Sequence, residues 1–106
     1  MSRVIVQVPS SANRGEVIEI RTLAQHNMET GFRRTQIGEL VARDIITHFV
    51  CNYNGVEVFS AQLHPAVAAN PLIAFTTLAT ESGTLEFRWS GDNGYQVKQS
   101  TSITVT

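Results

Sequence analysis

Asn54-Gly55 is the feature that most constrains this chain. An Asn-Gly pair between two β-prone runs is a strong hairpin signal, because both residues accept the positive φ of a two-residue turn. It predicts a strand over 45–53 and a return strand from Val56, with Tyr53 opposite Val56. Carried along the ladder without interruption, this register sets Cys51 against Val58 and Val50 against Phe59. Residues directly opposite share a sheet face. One face then carries Phe49, Cys51, Tyr53, Val56 and Val58, and the other Ile46, Val50, Phe59, Ala61 and Leu63. A two-layer sandwich needs only one apolar face per sheet. The surplus face is expected to be covered by a partner, and the isolated chain to self-associate without one.

The remaining segments repeat the period-two pattern between turn signals. Arg3–Val8 places Val4, Val6 and Val8 on one face, and residues 16–23 place Ile18 and Ile20 on one face with Glu19 and Arg21 on the other. Ile73–Thr80, Thr84–Trp89 and Tyr95–Val105 complete the set, with Leu85, Phe87 and Trp89 inward. Pro9–Gly15, Glu81–Gly83 and Ser90–Gly94 read as turns. Residues 62–72 form an apolar connection with two prolines and room for one helical turn at Pro65–Ala69, since proline suits a first helical position. About seven strands and no long helix in a chain of this size indicate a single domain, 1–106. The expected fold is an all-β, immunoglobulin-like (fibronectin-like) antiparallel sandwich. With one cysteine among 106 residues it has no intrachain disulfide.

Composition narrows the function. The formal net charge is -1, which gives no electrostatic reason to bind nucleic acid or an anionic membrane. No apolar run is long enough for a membrane span or a signal peptide. Charged residues make up 16%, against roughly 25% for an average soluble protein, which suits a surface partly covered by another chain. There is no nucleophile–base arrangement, paired carboxylate site or Gly-rich phosphate loop, so the chain is not expected to be an enzyme on its own, nor to carry a cofactor.

The segment His26–Arg34 is too long and too chemically mixed for a plain turn, and loops on a rigid β scaffold are where function concentrates. Gly31 marks a position for positive φ. Arg33 and Arg34 suit anionic groups or a partner's carboxylates. His64, Pro65 and Asn70 read either as a docking ridge or as a connection with preset torsions. Asp44, one residue after Arg43, reads either as a local exposed pair with it, which contributes little, or as the start of the strand. Cys51, flanked by apolar strand residues, reads as a buried, inert thiol. A metal-binding redox sandwich of superoxide-reductase type is an alternative, but that iron site takes four histidines and a cysteine, and this chain has three histidines. His48 also faces away from Cys51. A generic adhesion or carbohydrate-binding sandwich is the other alternative; its usual exposed aromatics are missing from the strand pattern.

Several stretches resemble the SoxZ family, the small subunit of the SoxYZ carrier of bacterial sulfur oxidation. They are Arg14–Leu23, His26–Arg33, Ala42–Ile46, Cys51–Gly55, Leu63–Pro71 and Ala79–Leu85. The Met28-Glu29-Thr30-Gly31-Phe32-Arg33 and His64-Pro65-Ala66…Ala69-Asn70-Pro71 runs are the distinctive ones. Asn27 stands where the family usually has proline, freeing one torsion. The resemblance implies an immunoglobulin-like sandwich paired with SoxY, whose Gly-Gly-Cys-Gly-Gly arm carries sulfur from thiosulfate as a covalent adduct while other Sox enzymes dock transiently. It implies a non-catalytic subunit. For such a subunit the partner-binding surface is expected at His26, Met28, Glu29, Thr30, Gly31, Arg33 and Arg34, with His64, Pro65 and Asn70. It also implies a periplasmic location reached by co-export with SoxY, which would account for the lack of a signal peptide. The chain ends Ile103-Thr104-Val105-Thr106, without the arm motif, so it is expected to be the subunit that bears no carrier thiol.

Overall fold

The computed structural model of the chain describes residues 3–106; Met1 and Ser2 lie outside the described residues. Eight strands follow one another: β1 (Arg3–Gln7), β2 (Ser11–Ala12), β3 (Val17–Gln25), β4 (Ile46–Tyr53), β5 (Val56–Gln62), β6 (Leu72–Leu78), β7 (Gly83–Gly91) and β8 (Gln96–Val105). A three-residue 3-10 turn, Asp92–Gly94, joins the last two. They form a three-stranded sheet ordered β1-β3-β6 and a five-stranded sheet ordered β2-β8-β7-β4-β5. This is the expected all-β, immunoglobulin-like sandwich, and Cys51 is free.

The eighth strand comes from the stretch read as a turn. Pro9 has no N–H and cannot extend the β1 ladder. Beyond it the chain changes sheets, and Ser11 and Ala12 pair in parallel with Thr104 and Val105. The expected helical turn after Leu63 is a single β-turn, closed by Val67 N–H donating to the His64 carbonyl at 2.9 Å. Pro65 occupies its second position, where a preset φ suits a turn as well as a helix.

The hairpin departs from its expected register, and the departure removes the surplus apolar face. Tyr53 opposes Val56 and Asn52 opposes Glu57, as the Asn-Gly turn requires, but Cys51 then opposes Phe59. Val58 is the extra residue of a β-bulge, and one inserted residue reverses every side chain beyond it. Phe59 and Ala61 therefore join Phe49 and Cys51 on the core side. A second irregularity, where Ile46 pairs with Gly91 and His48 with Ser90, skips Thr47 and turns Ile46 inward to full burial. The outer side of β4 keeps Val50 beside His48 and Asn52, and no apolar face remains there to be covered.

The core is aromatic. Phe49 lies 5.2 Å from Trp89, 6.1 Å from Phe75 and 6.2 Å from Phe59, between ring centroids. Phe59 and Phe75 stack at 4.4 Å with planes 5° apart. They belong to β5 and β6, the edge strands of the two sheets, so this stack closes the side of the sandwich where no backbone ladder can. Tyr53 secures the adjoining end. Its hydroxyl donates to the Glu81 carbonyl and receives the Thr80 and Glu81 amides at 3.3 Å. The Asn54 side-chain oxygen accepts the Thr84 amide at 2.9 Å, and a Cβ on Gly83 would lie 1.8 Å from that oxygen, so any larger residue there must displace the Asn54 side chain from this bond.

The bulge can be tested by a pair of substitutions. Phe59→Ala, which empties half of a ring stack, is expected to lower unfolding free energy by about 2–4 kcal/mol. Val50→Ala, on the outer side, should cost under about 1 kcal/mol. Equal losses in urea titrations would contradict the shifted register.

Candidate functional site

The loop between β3 and β4 leaves the sandwich at His26 and returns at Ile45, and its root is built by cross-connections. The His26 amide donates to the Asn70 side-chain oxygen at 3.0 Å, and the Asn70 amide donates to the His26 carbonyl at 2.8 Å. His26 Nδ1 accepts the Met28 amide at 2.9 Å. In its neutral form the ring therefore carries its proton on Nε2. That atom faces Asp44 Oδ1 at 3.7 Å, and the ring meets Tyr95 edge-on at 4.9 Å. Gln25, His26, Asn27, Glu29, Asp44, Asn70 and Tyr95 line an open polar cleft of about 370 Å³.

Met28 does not lie on the surface. It takes positive φ (54°), is 4% exposed, and its sulfur accepts the Ile46 amide at 3.2 Å. The sequence placed it among the partner-binding residues; the structure uses it instead as a plug that fixes the loop root to the core.

Two chain crossings follow. Glu29 and Asp44 exchange backbone hydrogen bonds of 2.9 and 2.8 Å. Arg33 then grips the Glu29 carboxylate through Nε and Nη2, and this guanidinium holds the Glu29 carboxyl below its ordinary range. Arg43 does not pair with its neighbour Asp44. Its Nε and Nη2 bond both oxygens of Asp92 at 2.8 and 2.9 Å. The Asp92 Oδ2 atom also receives the Ile45 amide at 3.2 Å. The Arg43 hydrogen bonds, with smaller contributions from Ile45 and the Arg43 and His26 charges, hold the Asp92 carboxyl low. Gly31 has φ +91° and backs onto Arg43, whose Cβ would lie 3.1 Å from any added methyl.

Beyond these crossings residues 33–41 double back as a small finger. The Thr35 amide donates to the Glu39 carbonyl at 2.8 Å, and the Val41 amide to the Arg33 carbonyl at 2.8 Å. The Gly38 amide closes the tip on the Thr35 carbonyl, and Arg34 Nη1 donates to the Gly38 carbonyl, each at 2.9 Å. Every residue from Phe32 to Leu40 is exposed. Thr30 sits below this finger and receives the Phe32 amide on its hydroxyl.

The structure thus draws His26, Glu29 and Asn70 into one root, extends Arg33 and Arg34 into the finger, and leaves His64 and Pro65 on the separate turn that precedes Asn70. Sequence reasoning missed Asp92 and Tyr95, because their partners Arg43 and His26 lie 49 and 69 residues away in the chain. It also missed Phe32, Ile37 and Leu40, although three large apolar residues inside a charged loop were a readable signal.

The metal alternative finds no ligand set. No three His, Cys, Asp or Glu side chains gather among the described residues. Cys51 is fully buried beneath the core rings, and burial pushes its thiol up to about 12. His48 is exposed on the outer side of the same strand. These residues do not fit the iron site of a superoxide reductase.

Two solution measurements test the site. Cys51 should resist Ellman's reagent at pH 8 in the native protein and react at once in urea, because only the thiolate is nucleophilic; native labelling would contradict its burial. The Asp92 carboxyl titrates lower when folded than when unfolded, so its contribution is complete above the unfolded value of about 3.9 and is lost as pH falls through the folded value. The melting temperature of wild type should exceed that of Asp92→Asn at pH 7, with the gap closing below about pH 4. A gap that is constant with pH would deny the ion pair.

Comparison with known proteins fixes the family. No curated protein matches the sequence. Among solved structures, the superoxide reductase (neelaredoxin) of Ignicoccus hospitalis superposes with a TM-score of 0.76 at 15% identity, covering 97% of this chain and 80% of that one. A putative superoxide reductase of Thermotoga maritima gives 0.74 at 16% identity, over 97% and 85% of the two chains. The sulfur carrier protein SoxY of Chlorobium limicola f. thiosulfatophilum gives 0.67 at 11% identity, over 97% and 78%. At such identities these likenesses establish the shared sandwich fold. The family model for the sulphur oxidation protein SoxZ matches residues 6–102, nearly the whole chain, and the protein therefore belongs to the SoxZ family.

Proposed function

We propose that this chain is the non-catalytic half of a two-chain sulfur-compound carrier: it binds a SoxY-type mate and helps present the mate's thiol-bearing arm to the enzymes of thiosulfate oxidation. The observation that carries the reading is the burial of Cys51. A carrier of sulfur adducts needs an accessible thiolate, and the chain's single cysteine is 0% exposed with its thiol pushed up to about 12. A carrier thiol must then come from another chain. Membership of the SoxZ family supports a Sox-system role. The SoxY fold likeness is compatible with two related sandwiches in one complex. In this reading the complex works in the periplasm, and the mate supplies the export signal.

The mechanism is positional. The subunit offers a rigid sandwich, a loop root fixed by Met28 and the Arg43–Asp92 pair, and an exposed finger. None of these groups reacts; they set where the mate and its arm stand relative to docking enzymes.

The test is co-expression with the SoxY-type chain of the same genome, thiosulfate loading by the matching enzymes, and intact mass of both chains. The expected result is a one-to-one complex with added mass confined to the mate's terminal cysteine. Added mass on this chain, or no complex, would overturn the reading.

A further inference from the structure

The His26 ring stands between two partners that favour opposite protonation states. Its Nδ1 atom accepts the Met28 amide at 2.9 Å, which only an unprotonated nitrogen can do. Its Nε2 atom lies 3.7 Å from Asp44 Oδ1, too far for a hydrogen bond but near enough for a charged ring to be drawn to the carboxylate. The His26 side chain is 8% exposed, so water is a poor substitute for either partner.

The charges around the ring come from each element packed on it. The Glu29–Asp44 crossing brings two carboxylates. Arg33 matches Glu29, whereas Asp44 has no other cationic partner among the described residues. The turn after β7 brings Asp92, which Arg43 matches and whose carboxyl the His26 charge also helps to hold low. Tyr95, just before β8, meets the ring edge-on at 4.9 Å. The end of β3 and the connection before β6 contribute the neutral Gln25 and Asn70.

A second proton on the ring must go to Nδ1. The Nδ1–H and the Met28 N–H would then face each other, two donors with no acceptor between them. Turning the ring over does not help, since that sets a C–H where the amide needs an acceptor. Met28 depends on this bond. Its backbone has φ 54°, in the left-handed region that a side chain disfavours. Two ties hold it there: its amide on His26, and its sulfur under the Ile46 amide. Loss of the first leaves the plug on a single tie, at the point from which the loop over 29–44 hangs.

We propose that His26 is a proton-operated latch. Neutral, it holds the Met28 amide and keeps the loop root closed; protonated, it exchanges that amide for the Asp44 carboxylate and loosens Met28 from the core. An ordinary imidazole changes charge between about pH 5 and 8, so the exchange belongs to mild acid, above the range in which the Arg43–Asp92 fork is lost. The loop, finger included, is then presented in a looser frame than at neutral pH. The latch belongs to the single chain, does not rest on the carrier reading, and can be tested without a mate.

The test is an NMR titration of the full-length protein from pH 8 to pH 4.5. The Met28 and Ile46 amide resonances should move with one midpoint, the same as that of the His26 ring. At pH 5 the hydrogen-exchange protection factors of both amides should fall about 10-fold below their values at pH 7.5, as loss of one hydrogen bond does. Those of Phe87 and Trp89, in the core of β7, should stay within about twofold. His26→Asn keeps an acceptor for the amide two residues on but takes up no proton, so both amides should hold their protection at either pH. Asp44→Asn removes the destination of the charged ring and should lower the midpoints of ring and amides together. A ring that titrates without moving Met28 and Ile46, a ring that stays neutral down to pH 4.5, or amide changes that persist in His26→Asn would each overturn the latch. Protection lost equally at Phe87 and Trp89 would assign the change to global unfolding and overturn it as well.

Discussion

The contact between Phe59 and Phe75, with Phe49 beside it, is the constraint on which the rest of the sandwich depends. The two rings belong to edge strands of different sheets, where no hydrogen-bond ladder crosses. Closing that side falls to side chains, and a stacked aromatic pair buries a large apolar area with defined geometry. The pair exists only because the chain inserts Val58. Without the bulge Phe59 would face solvent and Phe75 would look onto Val58, a smaller side chain with no ring to stack. One residue of insertion thus decides which face of the hairpin is inside, and with it whether the large sheet has a dry outer surface or a wet one.

That insertion also marks the boundary of what the sequence could tell. The Asn54-Gly55 turn, the pairing of Tyr53 with Val56, and the inward sets Ile18/Ile20 and Leu85/Phe87/Trp89 follow from local chemistry and a period of two; each appears in the structure as read. The bulge has no such signature, because Val58 and Phe59 are equally good strand residues in either orientation. Only the tertiary gain from the ring stack chooses between them. The same holds for β2, whose two residues pair with the far end of the chain. In the loop, positive φ at Gly31 was legible from residue type alone. The Arg43–Asp92 fork and the His26–Tyr95 edge contact were not, since they join segments separated by dozens of residues. Met28 shows the opposite error. A methionine in a polar loop suggests a contact residue, but a sulfur that can accept a buried amide is equally useful to a loop that must hold to a core.

The loop is organised as a rigid root and an exposed end. Asn70, Met28 and Asp92 tie the root to three different parts of the sandwich, and each tie satisfies a backbone amide that would otherwise be orphaned: those of His26, Ile46 and Ile45. Because these bonds lie close to the core, Met28 is buried, Glu29–Gly31 are half-buried, and every residue from Phe32 to Leu40 is exposed. A segment held at its root in this way keeps a fixed frame while Phe32, Ile37 and Leu40 remain exposed to water.

The sealed thiol has a further role within the proposed carrier. A sulfur adduct on a cysteine is open to attack by any nearby thiolate, through the exchange chemistry of disulfides. An accessible cysteine on the scaffold would compete for the cargo and scramble it between subunits. Cys51 avoids this twice over: its sulfur is walled in by the core, and burial keeps it protonated across the physiological range. A threonine or serine at this position would remove the thiol but bury a hydroxyl opposite Phe59 and Phe87, which costs free energy unless the hydroxyl is hydrogen-bonded. As a small apolar side chain, cysteine fills the site without that penalty, and the fold makes its reactivity irrelevant.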